Sequence, residues 1–180
     1  SLFNEELGIY NHAYFLRRFA EEFRRSRTFS LPLALAILRI ERYAEVDAGQ
    51  RPGLRRMIGR IVSDAVTGLD MVSCGAREEC VIVTFPLTMA ADAAAKMKRI
   101  AADIAAFDFH PYHDPEAALA LRWAVADYTI GMEKAEELFD SVTARLQDPA
   151  PASAAPPPES APAVKKSRKQ KGRRMPRPAE

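Results

Sequence analysis

Apolar residues recur at helical spacing over residues 11–27, where Phe15, Leu16, Phe19 and Phe23 share one side. Arg24, Arg25 and Arg27 crowd the end at which a helix dipole favours cations, so the pattern predicts a helix. Residues 33–40 follow Pro32 as a nearly unbroken apolar run, the signature of a strand buried on both faces. A second helix is predicted over 54–66, with Leu54, Ile58, Ile61 and Ala65 on one face and Gly68 as its left-handed stop. Val72-Ser73-Cys74-Gly75 and Cys80-Val81-Ile82-Val83-Thr84-Phe85 then read as two short strands around the charged turn Ala76-Arg77-Glu78-Glu79. Thr88 is placed to cap a third helix reaching residue 107, with Met89, Ala93, Met97, Ile100 and Ile104 inward. Residues 119–128 form a strand of mixed polarity, with Trp123 read as core. Residues 133–147 form a last amphipathic helix through Leu138, Phe139, Val142 and Leu146. Strands separated by helices require crossover connections, so the fold class is α/β (α+β), a mixed sheet with a β-hairpin and helices covering at least one face.

Composition divides the chain. With 180 residues and 48% hydrophobic content it holds one ordinary domain and an appendage. The domain is expected over 1–147. From 148 to 180 the sequence is Pro/Ala-rich and then basic, a composition that buries too little apolar surface to order itself and predicts a disordered tail. The net charge of +2 hides an asymmetry: 8 of the 26 Lys/Arg and 3 of the 24 Asp/Glu lie in 148–180, so the tail carries +5 and the remaining 18 and 21 leave the domain at −3. The cationic stretch 165–177 can touch nucleic acid or an anionic membrane electrostatically, or serve only to solubilise; no aromatic residue is interleaved to stack on bases. No apolar run is long enough to span a bilayer and residues 1–14 lack a signal-peptide layout, which predicts a cytoplasmic protein. Cys74 and Cys80 flank the hairpin turn, fit no common zinc or redox spacing, and are read as reduced, packed thiols that can be cross-strand neighbours. His110-Pro111-Tyr112-His113-Asp114-Pro115 holds metal-capable side chains, yet its two prolines mark an ordinary loop.

Three linked segments carry a family resemblance. Asn4-Glu5-Glu6-Leu7-Gly8-Ile9-Tyr10-Asn11-His12-Ala13-Tyr14-Phe15 resembles the opening motif of GGDEF domains, Asp-x-Leu-Thr-Gly-Leu-Tyr-Asn-Arg-Arg-x-Phe. Leu35-Ala36-Ile37-Leu38-Arg39-Ile40-Glu41-Arg42-Tyr43 lies where that family has an apolar strand ending in Asp-Ile-Asp-x-Phe. Asp70-Met71-Val72 and Ala76-Arg77-Glu78-Glu79-Cys80 resemble a worn copy of the Asp-Leu-Val lead-in and the Gly-Gly-(Asp/Glu)-Glu-Phe signature. The resemblance spans residues 4–146 and implies the ferredoxin-like palm core of a diguanylate cyclase, an enzyme that joins two GTP molecules with Mg²⁺ held by carboxylates and a backbone carbonyl.

The departures from that pattern set the expected function. One family metal ligand falls at Arg39, where a permanent cation cannot coordinate magnesium, and the other falls at Glu78. Arg77 replaces the glycine that lets the backbone approach the triphosphate. Asp47 stands where an Asn reads the base, and the acid expected at the start of the second helix is missing from 50–56, so nucleotide binding is weakened. The product-inhibition motif Arg-x-x-Asp appears as Thr67-Gly68-Leu69-Asp70, keeping only Asp70 and losing the arginine fork that grips phosphate. Two positions that share a metal in the family lie close together, so Arg39 and Glu78 are expected to pair, at about 3 kcal/mol if buried and under about 1 if exposed. The resulting expectation is a catalytically inactive GGDEF-like module, not an enzyme, with no metal and no cofactor, regulating cyclic di-GMP-linked signalling through another signalling protein. Two alternatives stand beside it: a non-catalytic sensor of GTP or cyclic di-GMP, and a diguanylate cyclase with altered metal ligands.

Overall fold

The strand predicted over 33–40 is the spine of the molecule. In the computed structural model, which describes residues 1–114 and 119–148, it runs from Leu33 to Ile40 with seven of its eight residues buried. The expected disordered tail, Asp148 apart, and Pro115 of the His110 loop lie outside the described residues. The chain order is β1 (Phe3–Asn4), β2 (Ile9–Tyr10), α1 (His12–Phe29), β3 (Leu33–Ile40), a short 3-10 turn (Tyr43–Glu45), α2 (Arg51–Ala65), β4 (Met71–Cys74), β5 (Cys80–Pro86), α3 (Ala90–Ala106), β6 (Leu121–Asp127) and α4 (Ala135–Gln147). The strands form one six-stranded mixed sheet in the order β1-β2-β4-β5-β3-β6, in which β2 and β4 are parallel and the other neighbours antiparallel.

Side chains alternate across β3, and each parity meets different helices. Ala34, Ala36, Leu38 and Ile40 join Leu54, Ile58 and Val62 of α2 and Met97, Ile100 and Ile104 of α3. Leu33, Leu35 and Ile37 join Phe15, Phe19 and Phe23 of α1 and Leu138, Val142 and Leu146 of α4. Both faces of the sheet are therefore covered. Each fully buried Leu, Ile or Phe here contributes roughly 1.5–3 kcal/mol relative to exposure.

Local chemistry sets several helix ends. Asn11 caps α1 by accepting from the Tyr14 N–H at 2.8 Å, and α1 ends at Ser30 in the left-handed region. Glu137 accepts from the N–H groups of Glu133 and Lys134 at 2.6 and 2.7 Å, which closes the start of α4 and holds its carboxyl below the usual range.

Several expectations need correction. Helix α2 begins at Arg51, three residues early, because Pro52 suits a first turn and apolar spacing starts only at Leu54. It ends at Ala65 with Val66 extended, and the left-handed Gly68 serves the following turn, closed by Asp70 N–H to Thr67 O, instead of the helix. Thr88 does not cap α3: its hydroxyl donates to Pro86 O, and the Ala90 N–H is met by Asp127 Oδ2 at 2.7 Å from β6. Leu16 and Met89, placed inward by spacing, are 53% and 59% exposed. Cys74 and Cys80 are free thiols but not neighbours across the strands. Cys74 pairs with Val81 in register and packs with the α2/α3 cluster, whereas Cys80 packs with the α1/α4 cluster. Burial pushes both thiols above their usual range.

Candidate functional site

The residues singled out from the sequence, Asp70 apart, lie where β3 ends, beside the hairpin of β4 and β5 and the first residues of β6. Strand β3 pairs with β5 up to Arg39 and Cys80, and the Ile40 N–H continues the ladder to Glu79 O at 2.9 Å. The turn is tight: Cys80 N–H donates to Arg77 O at 3.0 Å and Gly75 N–H to Cys80 O at 2.9 Å. A Cβ at Gly75 would lie 2.6 Å from Cys80 Cβ, so the neck of the hairpin needs glycine for close approach.

Arg39 does not pair with Glu78. Its Nε and Nη2 reach Glu41 Oε1 at 3.1 and 2.8 Å, and Arg122 Nε approaches the same oxygen at 3.2 Å. Glu78 is exposed and accepts instead from the Tyr43 hydroxyl in a long 3.5 Å contact. The reason is the alternation of β3. Arg39 follows the parity of Ile37 toward the α1/α4 face, while the Tyr43 ring that holds Glu78 is buried in the α2/α3 cluster. Burial pushes the Tyr43 hydroxyl up; nearby Arg55 pulls it down, and Glu78 adds to the rise. Glu79 pairs with Arg77 at 2.7 Å, and Ala76 lies exposed at the tip.

Asp47 is exposed, and its Oδ1 accepts from the Gly49 N–H at 2.9 Å in a local turn. It borders a cleft of about 370 Å³ that Glu41, Gln50, Tyr112, His113 and Asp114 also line. Gln50 Nε2 donates to Pro111 O at 2.8 Å, and the Tyr112 ring lies against Gly53, so the His110 loop closes one wall of the cleft. Asp70 is remote from this cluster. Its side chain is 5% exposed and is held by Lys96 Nζ at 3.2 Å, with Lys96 also lying over the Phe85 ring.

Three participants were not anticipated. Arg122 stands directly opposite Arg39 in the register of β3 and β6, and strand pairing order is the only signal that would have revealed it. Tyr43, visible only as an aromatic after the strand, reaches Glu78 in that long contact. Arg51 donates to the carbonyls of Val46 and Ala44, both at 2.9 Å, and lies over the Tyr43 ring, bracing the loop after β3.

These residues do not fit a magnesium site. A hard divalent cation needs several convergent anionic oxygens. Here Glu41 is taken by two guanidinium groups and Glu79 by a third, and Glu78 turns toward Tyr43. Among the described residues, no group of three or more His, Cys, Asp or Glu is placed to hold a metal ion.

No protein-family model matches the chain, and no curated protein matches it. Solved structures do. Diguanylate cyclase SiaD of Pseudomonas aeruginosa, in complex with its activator SiaC, is similar over 81% of this chain and 56% of its own, with a TM-score of 0.74 and 19% identity. The GGDEF domain of DgcB from Caulobacter crescentus, in complex with cyclic di-GMP, covers 81% of this chain and 88% of its own, at 0.73 and 13%. The active GGEEF domain of a diguanylate cyclase from Vibrio cholerae covers 76% and 87%, at 0.68 and 14%. These likenesses correct the expectation that the chain is not an enzyme: its fold is one that active diguanylate cyclases use. Among the described residues no helix is long and apolar enough to cross a membrane. The element order, the six-stranded mixed sheet and the four helices make this chain, in its fold, a GGDEF-like domain.

Proposed function

We propose that the chain serves cyclic di-GMP signalling as a regulatory GGDEF-fold module that acts in the cytoplasm by binding another signalling protein. The observation that supports this reading is the closure of Arg39 and Arg122 on Glu41 at the strand end where the family resemblance implies a metal ligand. A metal-ligand position held by two guanidiniums favours contact with a partner as the output, and SiaD, a protein of this fold, is seen with a protein activator. The test is complementation in a strain lacking the gene. A chain carrying Glu78→Ala and Glu79→Ala restores cyclic di-GMP-dependent output to the wild-type level under this reading; failure to restore it, with the variant folded and expressed, contradicts it.

A second reading, a diguanylate cyclase with altered metal ligands, is favoured by the retained Glu78-Glu79 pair and by the active cyclases that share the fold. Cyclic di-GMP formed from GTP and Mg²⁺ by the wild-type chain, and lost in the same double variant, selects it.

A further inference from the structure

We propose that Arg39 and Arg122 form a metal-independent seat for a phosphate group, held closed by Glu41 as a resident oxyanion. The inference goes beyond the partner-binding reading and does not depend on it.

The two arginines are Cα partners across antiparallel strands, an arrangement in which like charges repel unless an anion lies between them. The anion present is a single carboxylate, and it is held by one corner. A guanidinium meeting a carboxylate usually engages both oxygens. Here Nε and Nη2 of Arg39 and Nε of Arg122 all converge on Glu41 Oε1, at 3.1, 2.8 and 3.2 Å. The Arg39 fork and one Arg122 nitrogen thus meet at a single oxygen, and a phosphate has oxygens enough to engage both guanidiniums. The cluster keeps donors in reserve. Arg122 Nη1 donates to Asp148 O at 2.7 Å, while Arg39 Nη1 and Arg122 Nη2 have no acceptor among the described residues. Arg39, Arg122 and Glu41 sum to +1 among themselves, before the neighbouring Glu79, Arg77 and Asp148 are counted.

Access and room are also present. The side chains of Arg39, Glu41 and Arg122 are 25%, 31% and 31% exposed, so the donors are partly shielded from water yet reachable. Glu41 sits just past the end of β3, before the left-handed Arg42, and side-chain rotation alone can release it. It also lines the cleft of about 370 Å³, so a molecule whose phosphate displaced the carboxylate has space beside it for its organic body, next to Gln50 and Tyr112. Phosphate binding requires Glu41 to give up the two guanidiniums, so removing its charge is expected to open the seat.

Calorimetric titration in EDTA, with inorganic phosphate and separately with GTP, tests the seat. Glu41→Gln is expected to bind at least one of the two probes roughly tenfold more tightly than the wild-type chain, and Arg122→Gln combined with Glu41→Gln to lose that gain. Affinity for inorganic phosphate equal to that for GTP assigns a bare phosphate seat, and tighter GTP binding assigns a nucleotide; either supports the proposal. Unchanged affinity in Glu41→Gln, a gain that survives Arg122→Gln, or binding that appears only when Mg²⁺ replaces EDTA overturns it. Far-UV circular dichroism and melting of each variant verify the fold. Should Glu41→Gln fail to fold, Arg122→Gln alone must weaken wild-type binding of inorganic phosphate or GTP, and absence of that loss overturns the proposal equally. The complementation assay scores partner-dependent output separately, so either idea can fail while the other stands.

Discussion

Asp70 and Glu78 stand at the base and at the tip of the same hairpin, and their surroundings differ completely. The side chain of Asp70, just before β4, is almost fully buried and paired with Lys96 of α3. Glu78 is exposed, and the Tyr43 hydroxyl reaches it only at 3.5 Å. The base acid has become part of the framework, because a buried carboxylate without a cation would be costly. The tip acid is held by little and stays in contact with solvent. Resemblance in sequence marked Glu78 as a remnant of the metal site and Asp70 as a remnant of the product-inhibition motif, and burial separates them into a surface and a structural group.

The sharpest way to break this hairpin is at its neck. Gly75→Ala would place a methyl group 2.6 Å from Cys80 Cβ and 3.0 Å from the Cys80 carbonyl oxygen, which the paired backbone cannot avoid. A loss of about 3 kcal/mol is expected in urea denaturation, at the upper end of overpacking costs; a loss below about 0.5 would mean that the neck is looser than described. Removing the partner of the base acid comes next. Lys96→Met leaves Asp70 only a long contact from the Thr67 N–H at 3.4 Å, and because Lys96 is 41% exposed the expected cost is about 2 kcal/mol instead of the ~3–5 of a fully enclosed pair. An unchanged midpoint would show that Asp70 does not need Lys96.

Much of this molecule was legible from its residues. The apolar run of β3 coincides with the observed strand because burial on both faces leaves Arg39, next to its end, as the one polar interruption. The strands β1 and β2 were visible only as a motif, since two residues each are too short to show a period. The α3 cap was missed because its acceptor, Asp127, comes 37 residues later from a different strand. At the candidate site, Arg39, Glu41 and the hairpin tip do gather at one end of the sheet. Pairing failed at a finer level: Arg39 and Glu78 were matched by proximity, whereas the alternation of β3 and the burial of Tyr43 send them to different faces. Arg122 stayed hidden because no local pattern encodes which strand lies beside β3.

The smallest effect is also the most direct test. Double-mutant cycles by chemical denaturation measure the coupling of Arg39→Gln with Glu41→Gln, and separately with Glu78→Gln. A partly exposed pair with this geometry predicts roughly 0.5–1 kcal/mol between Arg39 and Glu41, and no more than about 0.3 between Arg39 and Glu78. Coupling of Arg39 to Glu78 that equals or exceeds its coupling to Glu41 would contradict the account.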